Sequence, residues 1–98
     1  MTDDIIRTGT KRAMIIDALY TEYPNEMSDI AVQTMMQGMG YDVVKLEVRS
    51  HLQYLSGPGK EYIVLKKQSR ELWLAQLTPR GKDLKAGAIQ DPGVRFAR

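Results

Sequence analysis

The sequence contains no cysteine, and it has only one tryptophan, one phenylalanine and one histidine. Without cysteine there can be no disulfide, no thiolate nucleophile and no cysteine-ligated zinc, and a stapled secreted mini-protein is not expected. The longest apolar runs are a few residues, as in Ala13-Met14-Ile15-Ile16, too short to span a membrane. The start, Met1-Thr2-Asp3-Asp4, is acidic and lacks the basic-then-apolar layout of a signal peptide, so a cytoplasmic location is expected. A P-loop, a dinucleotide fingerprint and zinc-ligand spacing are also missing. His51 has no nucleophile or metal partner spaced to work with it, so a packing or surface role is expected. Asp3-Asp4 is a paired carboxylate only along the chain, in a terminal segment. Neither enzymatic activity nor a cofactor or metal is expected.

What is present fits one globular domain. Ninety-eight residues, 43% apolar and 27% charged, bury a modest core, and a domain of this size gains from dimerisation. The net charge is only +2, but it is unevenly spread. Residues 43–71 hold six Lys/Arg and three acids, an excess of +3, while the remainder holds eight and nine, giving −1.

Residues 1–9 read as a polar lead-in with an Ile5-Ile6 pair. Thr10 caps a helix running to Tyr23, with Met14, Ile15, Ala18 and Leu19 on one face and Ile16 widening it. Lys11, Arg12, Asp17 and Glu22 take the wetter side, and Pro24-Asn25 ends the helix. A second helix runs from about Glu26 to Gly38, capped by Asn25 or Ser28, with Ile30, Ala31, Met35 and Met36 as its apolar face and Met39 closing it. Four of the six methionines fall between Met27 and Met39. They read either as core filler at helical spacing or as an adaptable binding surface.

The glycines of Gly38-Met39-Gly40-Tyr41-Asp42 suit a sharp turn, with Asp42 as cap for a third helix over 43–55. Val44, Val48, Leu52 and Leu55 form its core stripe. Lys45, Glu47, Arg49, Ser50 and Gln53 occupy the other faces. Those residue types can reach phosphates and base edges, and they equally fit a plain solvated face. Ser56-Gly57-Pro58-Gly59 breaks the chain. Two strand-like runs follow, Tyr62 to Lys66 and Leu72 to Leu77, joined by the polar link Lys67-Gln68-Ser69-Arg70-Glu71. Thr78 then caps a last helix with Pro79 at its first position and Gly87 as its stop. The tail, 88–98, carries the turn signal Asp91-Pro92-Gly93 and is placed to dock on the domain or on a second subunit.

Helix, glycine turn, helix and charged hairpin together outline a mainly α winged helix-turn-helix over 10–87. It would have a three-helix core, a two-stranded wing and a short C-terminal helix. The run Leu77-Thr78-Pro79-Arg80-Gly81, taken with Val48-Arg49-Ser50-His51-Leu52-Gln53-Tyr54-Leu55, resembles the third helix, wing and fourth helix of that superfamily. A closer resemblance is to short proteins of Mu-like phages and prophages described as regulators of the arsenic-repressor type. It rests on Arg49, Leu52, Leu55, Leu77-Thr78, Gly81, Ala86-Gly87 and Pro92-Gly93-Val94, and it covers about residues 10–95. It implies a winged-helix fold and a DNA-binding role in a phage or prophage. Related chains run straight from the third helix into the first wing strand, whereas here Ser56 to Glu61 intervenes. The register of that strand, and which of Lys60, Lys66 and Lys67 face DNA, therefore stays open. The metal-sensing cysteines of some arsenic-type repressors have no counterpart.

The expected function is sequence-specific binding of double-stranded DNA by a transcriptional regulator. Helix 43–55 would enter the major groove, and wing 62–77 would brace on the flanking backbone. Lys45, Arg49, Ser50 and Gln53 are the expected base and phosphate readers, and Lys66, Lys67 and Arg70 the wing contacts. Two copies would read a pseudo-palindrome. The alternative is a winged-helix protein-interaction or phage-assembly module that binds no DNA.

Overall fold

A computed structural model of the chain describes residues 2–97, with side chains from Ile6 onward, so the Asp3-Asp4 carboxylates lie outside the described residues. Helix α1 (Thr2–Glu22) leads to a short strand β1 (Met27–Ser28) and helices α2 (Asp29–Gly38) and α3 (Lys45–Ser56). Strands β2 (Ile63–Lys67) and β3 (Trp73–Leu77) and helix α4 (Pro79–Ala86) complete the order. The strands form one antiparallel sheet, β1-β3-β2. Among the described residues this is a small α+β domain of four helices and three strands. None of these helices is long and apolar enough to cross a membrane.

The core is made by one face of each long helix closing on the sheet. Ile15, Ile16 and Leu19 come from α1, Val32 and Met36 from α2, and Val48, Leu52 and Leu55 from α3, all fully buried against Ala75 and Leu77 of β3. Burying side chains of this size stabilises by roughly 1.5–3 kcal/mol each.

Several boundaries differ from the sequence expectation, each for a physical reason. Helix α1 begins at Thr2, so Gly9-Thr10 lies inside it. A mid-helix glycine costs about 1 kcal/mol relative to alanine. Here it lets the C-terminal tail cross: Arg95 N–H donates to the Gly9 carbonyl at 3.0 Å, and a Cβ on Gly9 would stand 2.7 Å from Arg95 Cγ. Helix α2 starts only at Asp29, where Ser28 Oγ accepts from the Ala31 N–H at 3.0 Å. Met27 and Ser28 instead pair with Ala75 and Leu74 of β3. Val32 and Met36 then point inward, and Ile30 is 50% exposed rather than core.

Asp42 does not cap α3. The helix starts two residues later, with Val44 at the cap position and no side-chain cap bond. The Nε2 groups of Gln33 and Gln37 both donate to the Val43 carbonyl, at 3.3 and 3.1 Å. Val43 is buried in that arrangement and Val44 is exposed, so the core stripe of α3 is Val48, Leu52 and Leu55 without Val44.

Strand β2 pairs Ile63 with Leu77 through Lys67 with Trp73, one residue later than the apolar run suggests. The intervening Ser56–Glu61 segment closes back on the helix end, where Tyr62 N–H donates to the Leu55 carbonyl at 2.9 Å. The last helix is as its local signals predict. Thr78 Oγ1 accepts from the Gly81 N–H at 3.0 Å, Pro79 is first, and Gly87 ends it in the left-handed conformation. Gly81 is required by close approach, since a Cβ there would fall onto the Tyr62 carbonyl oxygen and Leu77.

The tail docks on the domain through Asp91, which is buried. Its carboxylate accepts from Tyr54 Oη at 2.6 Å, Tyr62 Oη at 2.7 Å and its own loop's Gly93 N–H at 2.7 Å, and it pairs with Lys60 Nζ at 2.9 Å. Burial by itself raises the Asp91 pKa, but these donors outweigh it and hold the carboxyl well below the usual range. The same contact, with burial the larger cause, pushes the Tyr62 hydroxyl up to about 12.

Two outcomes are expected in urea unfolding. Gly81→Ala should lose about 1–3 kcal/mol, because the added methyl has no space. Asp91→Asn should lose roughly 1.5–3 kcal/mol at neutral pH, as expected for hydrogen bonds to a charged group. Because the folded pKa of Asp91 is depressed, its contribution is full above the unfolded value of about 3.9 and is lost as the pH falls from there through the folded value. The gap between wild type and Asp91→Asn should therefore narrow below about pH 4. A gap that stays constant to the acid limit would contradict this assignment.

Candidate nucleic-acid interface

Helix α3 keeps one narrow exposed stripe between its packed flanks. Its exposed positions are Leu46, Ser50 and Gln53, at i, i+4 and i+7, with Leu46 78% exposed. The Ser50 hydroxyl and the Gln53 amide make no hydrogen bond among the described residues. This stripe carries no charge.

The charged residues of α3 all turn sideways. Arg49 Nε donates to Asp29 Oδ2 at 2.7 Å and Nη2 to the Arg70 carbonyl at 2.7 Å, and the guanidinium lies 4.3 Å from the Trp73 ring centroid. Asp29 is completely buried, and its Oδ1 accepts from the N–H groups of Ile30 and Trp73 at 3.0 and 3.2 Å. Burial alone would raise the Asp29 pKa. The Arg49 bond, the Trp73 N–H and the charges of Arg49 and Lys45 lower it on balance, so the carboxylate stays ionised. Lys45 Nζ donates to the Glu71 carbonyl at 2.9 Å. Both basic side chains of α3 thus grip the backbone of the β2–β3 link.

On the other flank, Glu47 turns toward α1, where Lys11 Nζ meets its Oε2 at 2.7 Å. His51 is buried beside them. Burial lowers its pKa, as do the charges of Arg12 and Lys11, against the raising effect of Glu47. Arg12 Nε donates to Nδ1 at 3.2 Å, which assigns the proton of the neutral ring to Nε2, 3.0 Å from Glu47 Oε2. Arg12 also stacks 3.7 Å from the Tyr54 ring centroid. His51 is thus packed between α1 and α3, bonded to Arg12 and Glu47.

The seven residues singled out from the sequence therefore separate. Ser50 and Gln53 stand on the open stripe. Lys45 and Arg49 are engaged beside it, and Arg70 is exposed at the hairpin tip with no side-chain partner among the described residues. Lys67 lies opposite Trp73 on the α3 side of the sheet, 4.8 Å from that ring. Lys66, one residue earlier, falls on the opposite face by strand alternation and pairs with Glu26 Oε2 at 2.9 Å. Lys60 is taken by Asp91. Of the three lysines left open by the sequence, Lys60 lies over the Tyr54 ring near the end of α3, 4.9 Å from its centroid, and Lys67 alone stands beside Trp73 on the α3 side of the hairpin.

Sequence reading missed Arg7 and Lys11. These two residues line a groove between α1 and α3 that also includes Ser50 and His51. A second groove, between α3 and β2, joins Gln53 to Lys67. The available signal was the i, i+4 spacing of Arg7 and Lys11 on one helical face, but it needed α1 to extend N-terminal of Thr10. No protein family, curated protein or solved structure matches the chain.

Removing Arg49 leaves a buried carboxylate unpaired, so Arg49→Ala is expected to cost about 3–5 kcal/mol in chemical denaturation. Arg49→Lys should recover part of this, since it restores the charge but not the second bond to the hairpin. Equal stability of the Ala variant and the wild type would refute the structural role.

Proposed function

We propose that this is a DNA-binding domain of the winged-helix type, acting as a transcriptional regulator of the phage or prophage kind. The observation that carries the reading is the arrangement around α3. An uncharged, hydrogen-bond-capable stripe lies between exposed cations, Arg7 on the α1 side, where Lys11 is paired with Glu47, and Lys67 and Arg70 on the hairpin side. A major groove presents base edges at its floor and phosphates along both walls, which calls for such a distribution. Twelve residues make α3 about 18 Å long, enough to lie in a groove about 12 Å wide. The element order, with a three-stranded sheet of order β1-β3-β2 ending in a hairpin beside α3, supports the same reading. Two copies would address a pseudo-palindrome with half-sites one turn apart.

A second reading, a protein-interaction module, is favoured by one observation. Met39, Val44 and Leu46, around the α2–α3 connection, are each more than 60% exposed. Apolar surface of this kind suits a protein partner as well as a base edge.

Fluorescence-anisotropy titration of labelled duplexes distinguishes the two. DNA binding predicts an affinity that falls linearly with salt on a log–log plot. The double variant Lys67→Ala/Arg70→Ala should weaken binding to all sequences alike and lower the salt slope by about 2. Absence of binding to any duplex at low salt would leave the protein-interaction reading.

A further inference from the structure

We infer that α3 reads a run of A·T base pairs and that the buried Asp29 sets this preference by withdrawing Arg49 from the groove. The inference rests on the DNA-binding reading and names the class of site. Guanine is distinguished in the major groove chiefly by a cation, usually arginine, directed at its O6 and N7. Helix α3 contains one arginine and one lysine. Arg49 is bound on two edges, by Asp29 and by the Arg70 carbonyl, and is stacked on Trp73. Swinging it outward would strand a carboxylate that has no exposure to water, so this rotamer is held. Lys45 is turned to the Glu71 carbonyl. No cation of α3 stands on its open stripe.

What does stand there suits adenine and thymine. The Gln53 amide offers a donor and an acceptor side by side, the complement of adenine N7 and N6. Leu46, 78% exposed, supplies an apolar surface for a thymine methyl. Ser50, between them, accepts or donates. Leu46 and Gln53 are seven residues apart, about 10 Å along the axis, or roughly three base steps of 3.4 Å. The expected core is three to four consecutive A·T pairs within each half-site.

The test is selection of duplexes from a random pool with the full chain, followed by anisotropy on matched pairs that differ at one position. Enrichment of a three- to four-pair A·T core supports the inference. Gln53→Ala should then lose about tenfold in discrimination at one adenine. Gln53→Arg should shift that position toward guanine while leaving the fold intact, because residue 53 is exposed. Asp29→Asn, if it folds, should raise acceptance of guanine beside the core as Arg49 is loosened. A selected core rich in G·C, or no base preference, overturns the inference while DNA binding itself stands. Failure to bind any duplex removes the DNA-binding reading and the inference with it.

Discussion

The ion pair between Asp29 and Arg49 is the contact on which the rest of the surface depends. A carboxylate with no exposure to water is tolerable only if its oxygens are fully met. Arg49 and two backbone N–H groups, from Ile30 and Trp73, do this. The same three partners join the start of α2, the middle of α3 and the start of β3. Arg49 then reaches onward to the Arg70 carbonyl, so the hairpin tip is held relative to α3 rather than left to swing. A pair of this kind adds little net stability over an apolar substitute, yet breaking it is costly. Its effect is to fix geometry.

The tail works similarly at the other end of α3. Asp91 gathers Tyr54 and Tyr62 and pairs with Lys60, while Gly9 and Gly93 provide the close approaches by which residues 91–97 lie against α1 and α3. Helix α3 is thus clamped near its first half by Asp29 and near its second by Asp91. The result is a rigid helix whose remaining free face is short and neutral, flanked by exposed cations. A rigid element with uncommitted polar groups loses little entropy on binding, which suits recognition of a fixed lattice such as a base-pair stack.

Legibility in the sequence followed the range of the interactions involved. Helix α4 was readable to the residue because Thr78, Pro79 and Gly87 act within one turn. The β2–β3 hairpin was readable because β-forming runs on either side of a polar link report directly on pairing. Strand β1 was not, since two residues show no periodicity and exist as a strand only by lying against Ala75 and Leu74. The start of α1 is hidden from local pattern for a similar reason. Gly9 looks like a break until Arg95, 86 positions later, is seen crossing it. Helical spacing alone points Val44 to the core, whereas two glutamines of α2 bond the Val43 carbonyl where Val43 lies buried and Val44 is exposed.

Among the candidate site residues, the sequence by itself determined the residue types on α3 and the hairpin, and it determined that they would lie near one another. Helical period, turn chemistry and strand alternation are local rules, and they suffice for that. Which charges remain free was decided only by the tertiary structure. The partners that neutralise Arg49, Glu47, Lys60 and Lys66 lie 20, 36, 31 and 40 positions away in the chain. An ion pair depends on distance in space, and no local pattern encodes it. The sequence presents α3 as a weakly basic helix, and folding turns its outer face into a neutral one between basic flanks.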